Sequence, residues 1–347
     1  MDLRLDYSHD ELLAEPAYEQ RLCILGRQLH GGLTPEGTYR SPRTLWRRPA
    51  IDAWKKRLEA DGQPTTLIDP SVVPPYFPNV QQARLLLRNG VVEPISLMLT
   101  MTAIVEGSGK TGLEAIPKPP LDALIKESIQ ETCLGHLYKG LLEAHGRDEA
   151  GHGDEGGHDV MWEVARDLAF NHPPVPGDAR ERVNNRPRRP PEWHHPEIPR
   201  ELEALLTSLI ALLGMEIFND NAMTWAEELL SDPEVSSRPD LAGKVISFIQ
   251  QDEQIHVDYL SIAMLELRTR TFITDHGEVA AGPVVDEITR RVTSVHVQQR
   301  RQFIPQKKYQ DIQDVLSRHP SGDRILREFG QLGELPSSAA GLLRAHP

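Results

Sequence analysis

The stretch LAGKVISFIQQDEQIHVDYLSIAMLELRTR, Leu241–Arg270, decides the fold because it carries acidic residues and a histidine on an otherwise apolar helical pattern. At about 100° per residue, Glu253 shares its face with a stripe of apolar side chains, and His256 lies one turn further on the flank of that face. A carboxylate and an imidazole at i and i+3 can bind one metal ion. A carboxylate on an apolar face is costly to bury unless it is paired or holds a metal.

The preceding helix, Pro199–Leu230, repeats this pattern, with Glu216 at the centre of an apolar stripe. Glu216 stands about fifteen residues before the turn Asp232–Pro239, and Glu253 about thirteen after it, so both lie ~20 Å from the turn. Alone, Glu216 fits an ion pair with an arginine better than a metal. Equal height on neighbouring antiparallel helices is what a shared metal requires, so the combination with Glu253 and His256 favours a metal.

Outward from this helix pair, the apolar spacing predicts only helices and no strands. The fold class is all-α, and two antiparallel helix pairs joined by about fifty residues outline a four-helix bundle with one long crossover. We expect an N-terminal extension over 1–79, the bundle over 80–271 with a crossover insert at 147–198, and a C-terminal helical extension over 272–347. The expected helices are Ser8–His30, Ala50–Leu58, Gln81–Glu106, Pro120–Ala144, about twelve residues ending near Asn171, Pro199–Leu230, Leu241–Arg270, and Val284–His319 interrupted at Pro305.

The residues Asp252-Glu-Gln-Ile-His256, with Glu216 placed 37 residues before Glu253, resemble the ferritin-like non-haem di-iron carboxylate oxygenases. In that superfamily each half of the bundle offers one glutamate on one helix and Glu-x-x-His on its partner. The resemblance rests mainly on Pro199–Arg270 and more weakly on Gln81–Ala144. It implies that a first-half set of ligands completes the site.

For the first half we favour Glu106 with Glu131 and His136. Their heights agree if the first helix continues through its glycines to about Ala115, and Glu93 becomes the level partner if the helix stops at Gly107. Glu131 and His136 are five residues apart, so both could face one metal only if the helix carries a one-residue π-bulge.

The glycine-rich segment Arg147–Asp159, RDEAGHGDEGGHD, offers competing ligands. Its position beyond the predicted end of the second helix and its four glycines argue against a ligand role in the bundle. We therefore interpret it as a solvated acidic loop at a helix end. The alternatives that stay open for the first half are Glu93, Glu127, Glu149, His152, Glu155 and His158.

The resemblance implies two iron ions, or a mixed Mn/Fe pair, and O₂-dependent hydroxylation or N-oxygenation of a small organic substrate. An external electron donor is expected, because no flavin or nicotinamide motif is visible. A non-redox helical scaffold, with its glutamates paired to arginines such as Arg84 or Arg88, is the alternative from another class. A metal-dependent hydrolase is a third hypothesis.

The composition of the chain limits the classes of partner that the protein is expected to bind. Fifty-one acidic against thirty-eight basic residues give a net charge of −13, which argues against nucleic acid or an anionic membrane. Two cysteines cannot form a disulfide framework, and Met1–Asp10 has no apolar signal core, so we expect a cytoplasmic protein. The extensions on either side of the bundle are expected to build a substrate pocket or an oligomer interface, such as that of a homodimer.

Overall fold

A computed structural model of the chain describes residues 3–184 and 193–336. Of these residues, 61% lie in helices and 8% in strands, which confirms a mostly helical protein. The expectation of no strands is wrong, because two small antiparallel sheets are present. Within the described residues, no helix has both the length and the apolar character needed to cross a bilayer.

The elements follow one another along the chain with short connections. The helices are α1 (His9–Leu12), α2 (Arg47–Ala60), α3 (Val80–Arg88), α4 (Glu93–Gly107), α5 (Gly109–Glu114), α6 (Leu121–Leu124), α7 (Cys133–His136), α8 (Leu142–Ala150), α9 (His158–Phe170), α10 (Ala179–Asn184), α11 (Arg200–Leu230), α12 (Pro239–Arg268), α13 (Ala281–Gln298), α14 (Ile304–Leu316) and α15 (Gly322–Gln331). The strands are β1 (Gln20–Ile24), β2 (Arg27–Leu33), β3 (Tyr39–Arg40), β4 (Thr271–Thr274) and β5 (Gly277–Ala280). Single turns of 3₁₀ or π type occur at Pro70–Val72, Leu137–Leu141 and Gln299–Phe303.

Among the residues that the structure describes, α11 and α12 form the most extensive helix-helix contact. Both helices lie within two residues of their predicted bounds, and Pro239 begins α12, where its missing N–H costs no helical hydrogen bond. Two buried apolar clusters cover this hairpin. One includes Phe218 and Ile255, and the other includes Met223 and Ile249. Glu216 and Glu253 therefore lie where the two clusters meet.

The helices α4, α5, α8 and α9 of the first half pack beside this hairpin, but they do not form two continuous helices. Helix α9 lies between α4 and α12, while α8 packs mainly on α5. The predicted helix Gln81–Glu106 is divided into α3 and α4, and the break falls just before Pro94 because proline fits the first turn of a helix. Helix α9 belongs to the segment that we assigned to the crossover, and it ends at the predicted place.

The predicted helix Pro120–Ala144 is wrong. Residues 125–132 leave the helical path, because the Lys126 N–H donates to Thr271 O and the Glu127 carboxylate accepts from the Thr271 N–H and hydroxyl. Helix α7 then starts at a Thr132 cap, and the π turn follows it. Helix α8 does not stop at Gly146 as expected, since that glycine lies against the Lys110 backbone, where the helices cross closely.

The predicted helix Ser8–His30 is also wrong beyond its first turn. Ser8 caps α1, but the chain then forms β1 and β2, joined by Leu25 and Gly26, both with positive φ. That conformation gives the tight turn of a two-residue hairpin. Leu22 and Ile24 face the core with the two-residue period of a strand.

The predicted C-terminal helix Val284–His319 is interrupted, as expected, near Pro305. The interruption is the π turn Gln299–Phe303.

The turn between α8 and α9 depends on two glycines. Gly151 has φ +75°, and a Cβ there would overlap Glu155 O. A Cβ on Gly157 would lie 2.5 Å from Asp148 O and 2.6 Å from Glu149 O. The glycines of the acidic segment therefore allow a close return of the backbone, which brings the start of α9 against the end of α8.

We predict that Gly157→Ala lowers the free energy of unfolding by about 1–3 kcal/mol or more, because backbone atoms surround the added methyl group. Gly112→Ala is the control: no atom lies within 4 Å of its Cβ position. That variant should be as stable as the native chain or up to about 1 kcal/mol more stable. Urea denaturation followed by circular dichroism measures both, and an unchanged midpoint for Gly157→Ala would contradict the packing described.

Candidate metal centre

Seven acidic and histidine side chains converge in the interior, where the two apolar clusters meet. They come from the end of α4, from α8, from the first residue of α9, and from the middle of α11 and α12. All are between 0 and 6% exposed: Glu106, His145, Glu149, His158, Glu216, Glu253 and His256. Such a concentration of ionisable groups in a protein interior needs a compensating partner.

These side chains form two overlapping groups, each with ligand atoms within 4.8 Å of one another. One group is Glu106, Glu149, His158 and Glu253, and the other is His145, Glu149, Glu216 and His256. The Glu149 carboxylate belongs to both. Glu253 also reaches both, since its two oxygens lie 3.0 Å from His158 Nδ1 and 2.8 Å from His256 Nδ1. The arrangement has two adjacent centres with carboxylates placed between them.

Each imidazole is held by a partner on its outer nitrogen. His145 Nδ1 lies 2.8 Å from the Tyr259 hydroxyl. His256 Nε2 lies 3.0 Å from Asp148, and His158 Nε2 lies 3.4 Å from Asp252. The other nitrogen of each ring faces the cluster. An imidazole fixed through one nitrogen while the other is free to bind is the usual arrangement around protein-bound metals.

The two outer aspartates connect the halves crosswise. Asp148, next to Glu149, contacts His256 of α12, and Asp252, next to Glu253, contacts His158 of α9. An Asp-Glu pair thus plays the same part in both halves: the glutamate faces the centre and the aspartate holds the opposite histidine.

Residues from the N-terminal region complete this outer layer. Arg43 and Arg47 donate to Asp148 at 2.6 and 2.7 Å, and all three side chains are buried. His30 and the Tyr39 hydroxyl contact Asp252 at 3.0 and 2.8 Å. The charge of Asp148 is therefore balanced by arginines, whereas the possible cations beside the four inner glutamates are, among the described side chains, the histidines of the site.

Three inner atoms are buried and make no hydrogen bond within the described structure: His145 Nε2, Glu149 Oε1 and His158 Nδ1. His145 Nε2 lies 3.4 Å and His158 Nδ1 lies 3.3 Å from Glu149 Oε1, but neither nitrogen is well aligned with that oxygen for a hydrogen bond. Buried polar atoms normally find partners, so converging orphans of this kind point to a missing ligand. Each is a good metal donor, and the residues present therefore fit a metal.

The protonation of the site reflects its crowding. Burial raises the pKa of Glu106 well above its usual range, and the neighbouring Glu149 raises it further. Burial alone would raise the pKa of Glu149, but a hydrogen bond with Glu106 and the charge of His158 place it well below its usual range. The two carboxyl groups therefore lose their protons at different pH, Glu149 before Glu106.

Glu216 and Glu253 also differ in pKa, one being raised and the other lowered. Burial and the charge of Glu253 raise the pKa of Glu216 to about 8. Burial opposes ionisation of Glu253 too, yet His158 and His256 lower its pKa to about 2. Like charges close together cannot all ionise, so protons occupy part of the site at neutral pH.

The structure brings four of the six predicted ligands together: Glu106, Glu216, Glu253 and His256. It places the other two elsewhere. The Glu131 side chain is 68% exposed and lies 4.0 Å from Arg57, while His136 Nε2 contacts the Tyr7 N–H and Asp6. The π turn lies after His136 rather than between the two residues, because the chain before α7 is not helical.

The structure also divides the alternative ligands for the first half into residues inside the cluster and residues outside it. Glu149 and His158 belong to the cluster. Glu93 and His152 are exposed, Glu127 binds Thr271, and Glu155 pairs with Arg21. The interpretation of Arg147–Asp159 as a solvated loop is wrong at Asp148, Glu149 and His158, which are buried.

His145 and the Asp148-Glu149 pair are inner residues that counting along a regular helix set aside in favour of Glu131 and His136. The pair repeats Asp252-Glu253, and this repeat is the sequence signal for the first half. Glu149 follows Glu106 by 43 residues, close to the 37 that separate Glu216 and Glu253. His145 adds a third imidazole, and its ring stacks on His256 with 3.6 Å between ring centres.

A cleft of about 600 Å³ lies on one side of the cluster, and Glu216 and Glu253 are among its lining residues. Its walls come from α11, α12, α2 and the segment 65–70. The volume is typical of a site for a small molecule. The cleft therefore offers a route from the surface to the centre.

Comparison of the chain with protein-family models, with curated proteins and with solved structures found no match.

We predict that Tyr259→Phe lowers metal affinity roughly 10- to 100-fold, because His145 loses the hydroxyl that orients it. Tyr309→Phe is the control, since the buried Tyr309 hydroxyl makes no hydrogen bond in the described structure. Competition with a chelator of known affinity measures both variants. Equal affinities in the two variants would contradict the orienting role of Tyr259.

We also predict that the metal-free protein loses stability as the pH rises from 4.5 to about 8. Folded Glu216 keeps a proton that the unfolded residue has lost in this range, so the folded state binds more protons and the free energy of unfolding falls with pH. Glu216→Gln should flatten this slope in urea denaturation. An identical slope in the variant would show that Glu216 is ionised in the folded protein.

Proposed function

We propose that the chain is a ferritin-like, O₂-dependent non-haem di-iron oxygenase acting on a small organic substrate. The observation that carries the proposal is the Glu149 carboxylate, which belongs to two adjacent four-residue groups of buried ligands. A carboxylate between two centres is the arrangement expected for a pair of cations rather than one. Four of the five helices that supply ligands support the proposal: α4 and α11 each give one glutamate, and α8 and α12 each give a glutamate and a histidine, as in a di-iron four-helix bundle.

The donor set favours iron. Carboxylates and imidazoles suit iron and manganese, and no thiolate is among the buried ligands. Four inner carboxylates balance two divalent cations, which makes burial of all six charges tolerable. Glu106 and His158 would hold one iron, and His145, Glu216 and His256 the other, with Glu149 and Glu253 between them. When bound and reduced by an external donor, such a pair supplies O₂ activation for hydroxylation or N-oxygenation.

The protein side chains would bind the metal ions, orient the histidines and shield the centre from water. Asp148, Asp252 and Tyr259 keep the three imidazoles directed inwards. The apolar clusters on both sides exclude water from the centre. The cleft at Glu216 and Glu253 gives a substrate one defined approach. A site built only for stability would need no such approach, and this favours catalysis over a structural metal.

The test is iron loading under anaerobic conditions. Titration of the metal-free protein with Fe(II) should saturate at about two ions per chain. Glu149→Ala and Glu253→Ala should each abolish stable loading of the pair, because each removes a carboxylate between the centres. Glu201→Ala, an exposed glutamate in the first turn of α11, is the control and should load like the native chain. Addition of O₂ to the reduced, loaded protein should consume O₂.

Three results would contradict the proposal. A protein that folds normally but binds no metal would favour a non-redox scaffold. Tight zinc binding without O₂ consumption would favour a hydrolase. Retention of two irons by Glu149→Ala would remove the observation on which the proposal depends.

A further inference from the structure

His136 is a buried histidine that lies outside the metal centre, and both of its ring nitrogens make polar contacts. Nδ1 lies 2.7 Å from Thr132 O. Because a carbonyl oxygen only accepts hydrogen bonds, Nδ1 carries a hydrogen, and Nε2 of the neutral ring is an acceptor. The Tyr7 N–H donates to Nε2 at 3.0 Å. The neutral imidazole therefore binds the backbone of Tyr7 to the end of α7.

The same nitrogen has a second neighbour that requires the opposite protonation state. Asp6 Oδ1 lies 3.1 Å from His136 Nε2. A carboxylate accepts hydrogen bonds, so it can bond this nitrogen only when the ring is protonated. A protonated Nε2 no longer accepts from the Tyr7 N–H. Protonation of the ring thus replaces a contact with the backbone by a contact with the adjacent side chain.

The surroundings of the ring favour its neutral form. Among the described side chains, the charged groups beside the ring are Asp6 and Lys139, which lie 2.9 Å from each other. Helix α2 places Trp54 against the ring, with 4.8 Å between ring centres. Helix α12 faces α7 with Glu266, whose carboxylate accepts from backbone N–H groups at the start of α7. Burial lowers the pKa of His136 below its usual value, and the opposing effect of Asp6 is smaller.

Residues 4–7 connect His136 to α2. Leu5 O accepts from Trp54 Nε1 at 3.0 Å, and the Tyr7 ring packs edge-on against the Trp54 ring. Helix α2 also contributes to a wall of the cleft beside the metal centre, and its Arg47 donates to Asp148. A change in residues 4–7 is therefore transmitted to a helix that borders the site.

We propose that His136 is a pH switch: the neutral ring holds residues 4–7 on α7 and α2, and the protonated ring releases the Tyr7 backbone and pairs with Asp6. The release is local. His9, at the start of α1, lies 2.8 Å from Glu143, and this contact gains strength when His9 is protonated. Acidification therefore frees the residues before α1 while α1 stays on α8.

Hydrogen exchange of a peptide covering residues 4–13, read by mass spectrometry in the full-length chain, tests the switch. After correction for the intrinsic pH dependence of exchange, protection of the Tyr7 amide should fall at least about 10-fold between about pH 8 and about pH 4.5, because a buried hydrogen bond is lost. The midpoint should lie below the usual histidine pKa, since burial lowers that of His136. Constant protection over this range would overturn the proposal.

His136→Gln removes the titration but keeps an acceptor, because the glutamine carbonyl oxygen can take the place of Nε2. Protection in this variant should be the same at both ends of the pH range. His276→Gln, the same substitution in the exposed β4–β5 turn, is the control and should behave like the native chain. A native pH dependence in His136→Gln would assign the change to another group and would overturn the proposal.

Asp6→Asn tests the partner of the protonated ring at an exposed position, where the substitution leaves the core intact. The midpoint should fall by roughly half a pH unit, the effect of losing an exposed charge pair. Asp61→Asn, exposed just after α2, is the control and should keep the native midpoint. An unchanged or higher midpoint in Asp6→Asn would contradict the exchange of partners at Nε2.

The switch is independent of the proposed function, because Asp6, Tyr7 and His136 are not ligands of the metal centre. We expect the same midpoint in the metal-free and the iron-loaded protein. Loss of iron binding would therefore overturn the proposed function and leave the switch in place, whereas constant protection of Tyr7 would overturn the switch alone.

Discussion

Burial of four glutamates in one place is the constraint on which the rest of the structure depends. Glu106, Glu149, Glu216 and Glu253 lie where two apolar clusters meet, and among the described side chains only histidines, with no arginine or lysine, are placed to offset their charge. Protons can neutralise part of the site, as the high pKa of Glu106 and of Glu216 shows. Two divalent cations would neutralise all of it, and the overlapping groups around Glu149 have the geometry for two.

The N-terminal region helps to balance the buried charges of the site. Arg43 and Arg47 neutralise Asp148, which holds His256, and Tyr39 with His30 holds Asp252, which contacts His158. The strands β1–β3 and helix α2 therefore cover the centre and position its histidines through the two aspartates. Removing one partner of such a buried network leaves an uncompensated charge. Fold and site are in this way mutually dependent.

The second half of the site could be predicted because α11 and α12 are unbroken helices. With a constant rise per residue, the positions of Glu216, Glu253 and His256 follow from counting, and the structure brings these three together. The same counting failed in the first half, because residues 125–127 pair with strand β4 instead of continuing a helix. Tertiary contacts of that kind leave no periodic signal in the sequence.

Glycines in the same region serve close packing. The sequence predicts that Gly146 and Gly109 weaken or end helices, but Gly146 lies against Lys110 and Gly109 against Glu149. The glycines of residues 151–157 predict a solvated loop, yet they permit the tight return that places His158 beside Glu149. Glycine reports permissive geometry, and the sequence does not say whether that geometry serves flexibility or close packing.

X-ray absorption spectroscopy at the iron edge of the reconstituted protein tests the central claim most directly. We expect an iron-iron distance of about 3.5–4 Å, as in other two-metal sites, with oxygen and nitrogen atoms as the nearest donors. The same measurement on Glu149→Ala should lose the iron-iron signal. A single isolated iron in the native chain, or an unchanged pair in the variant, would contradict the account.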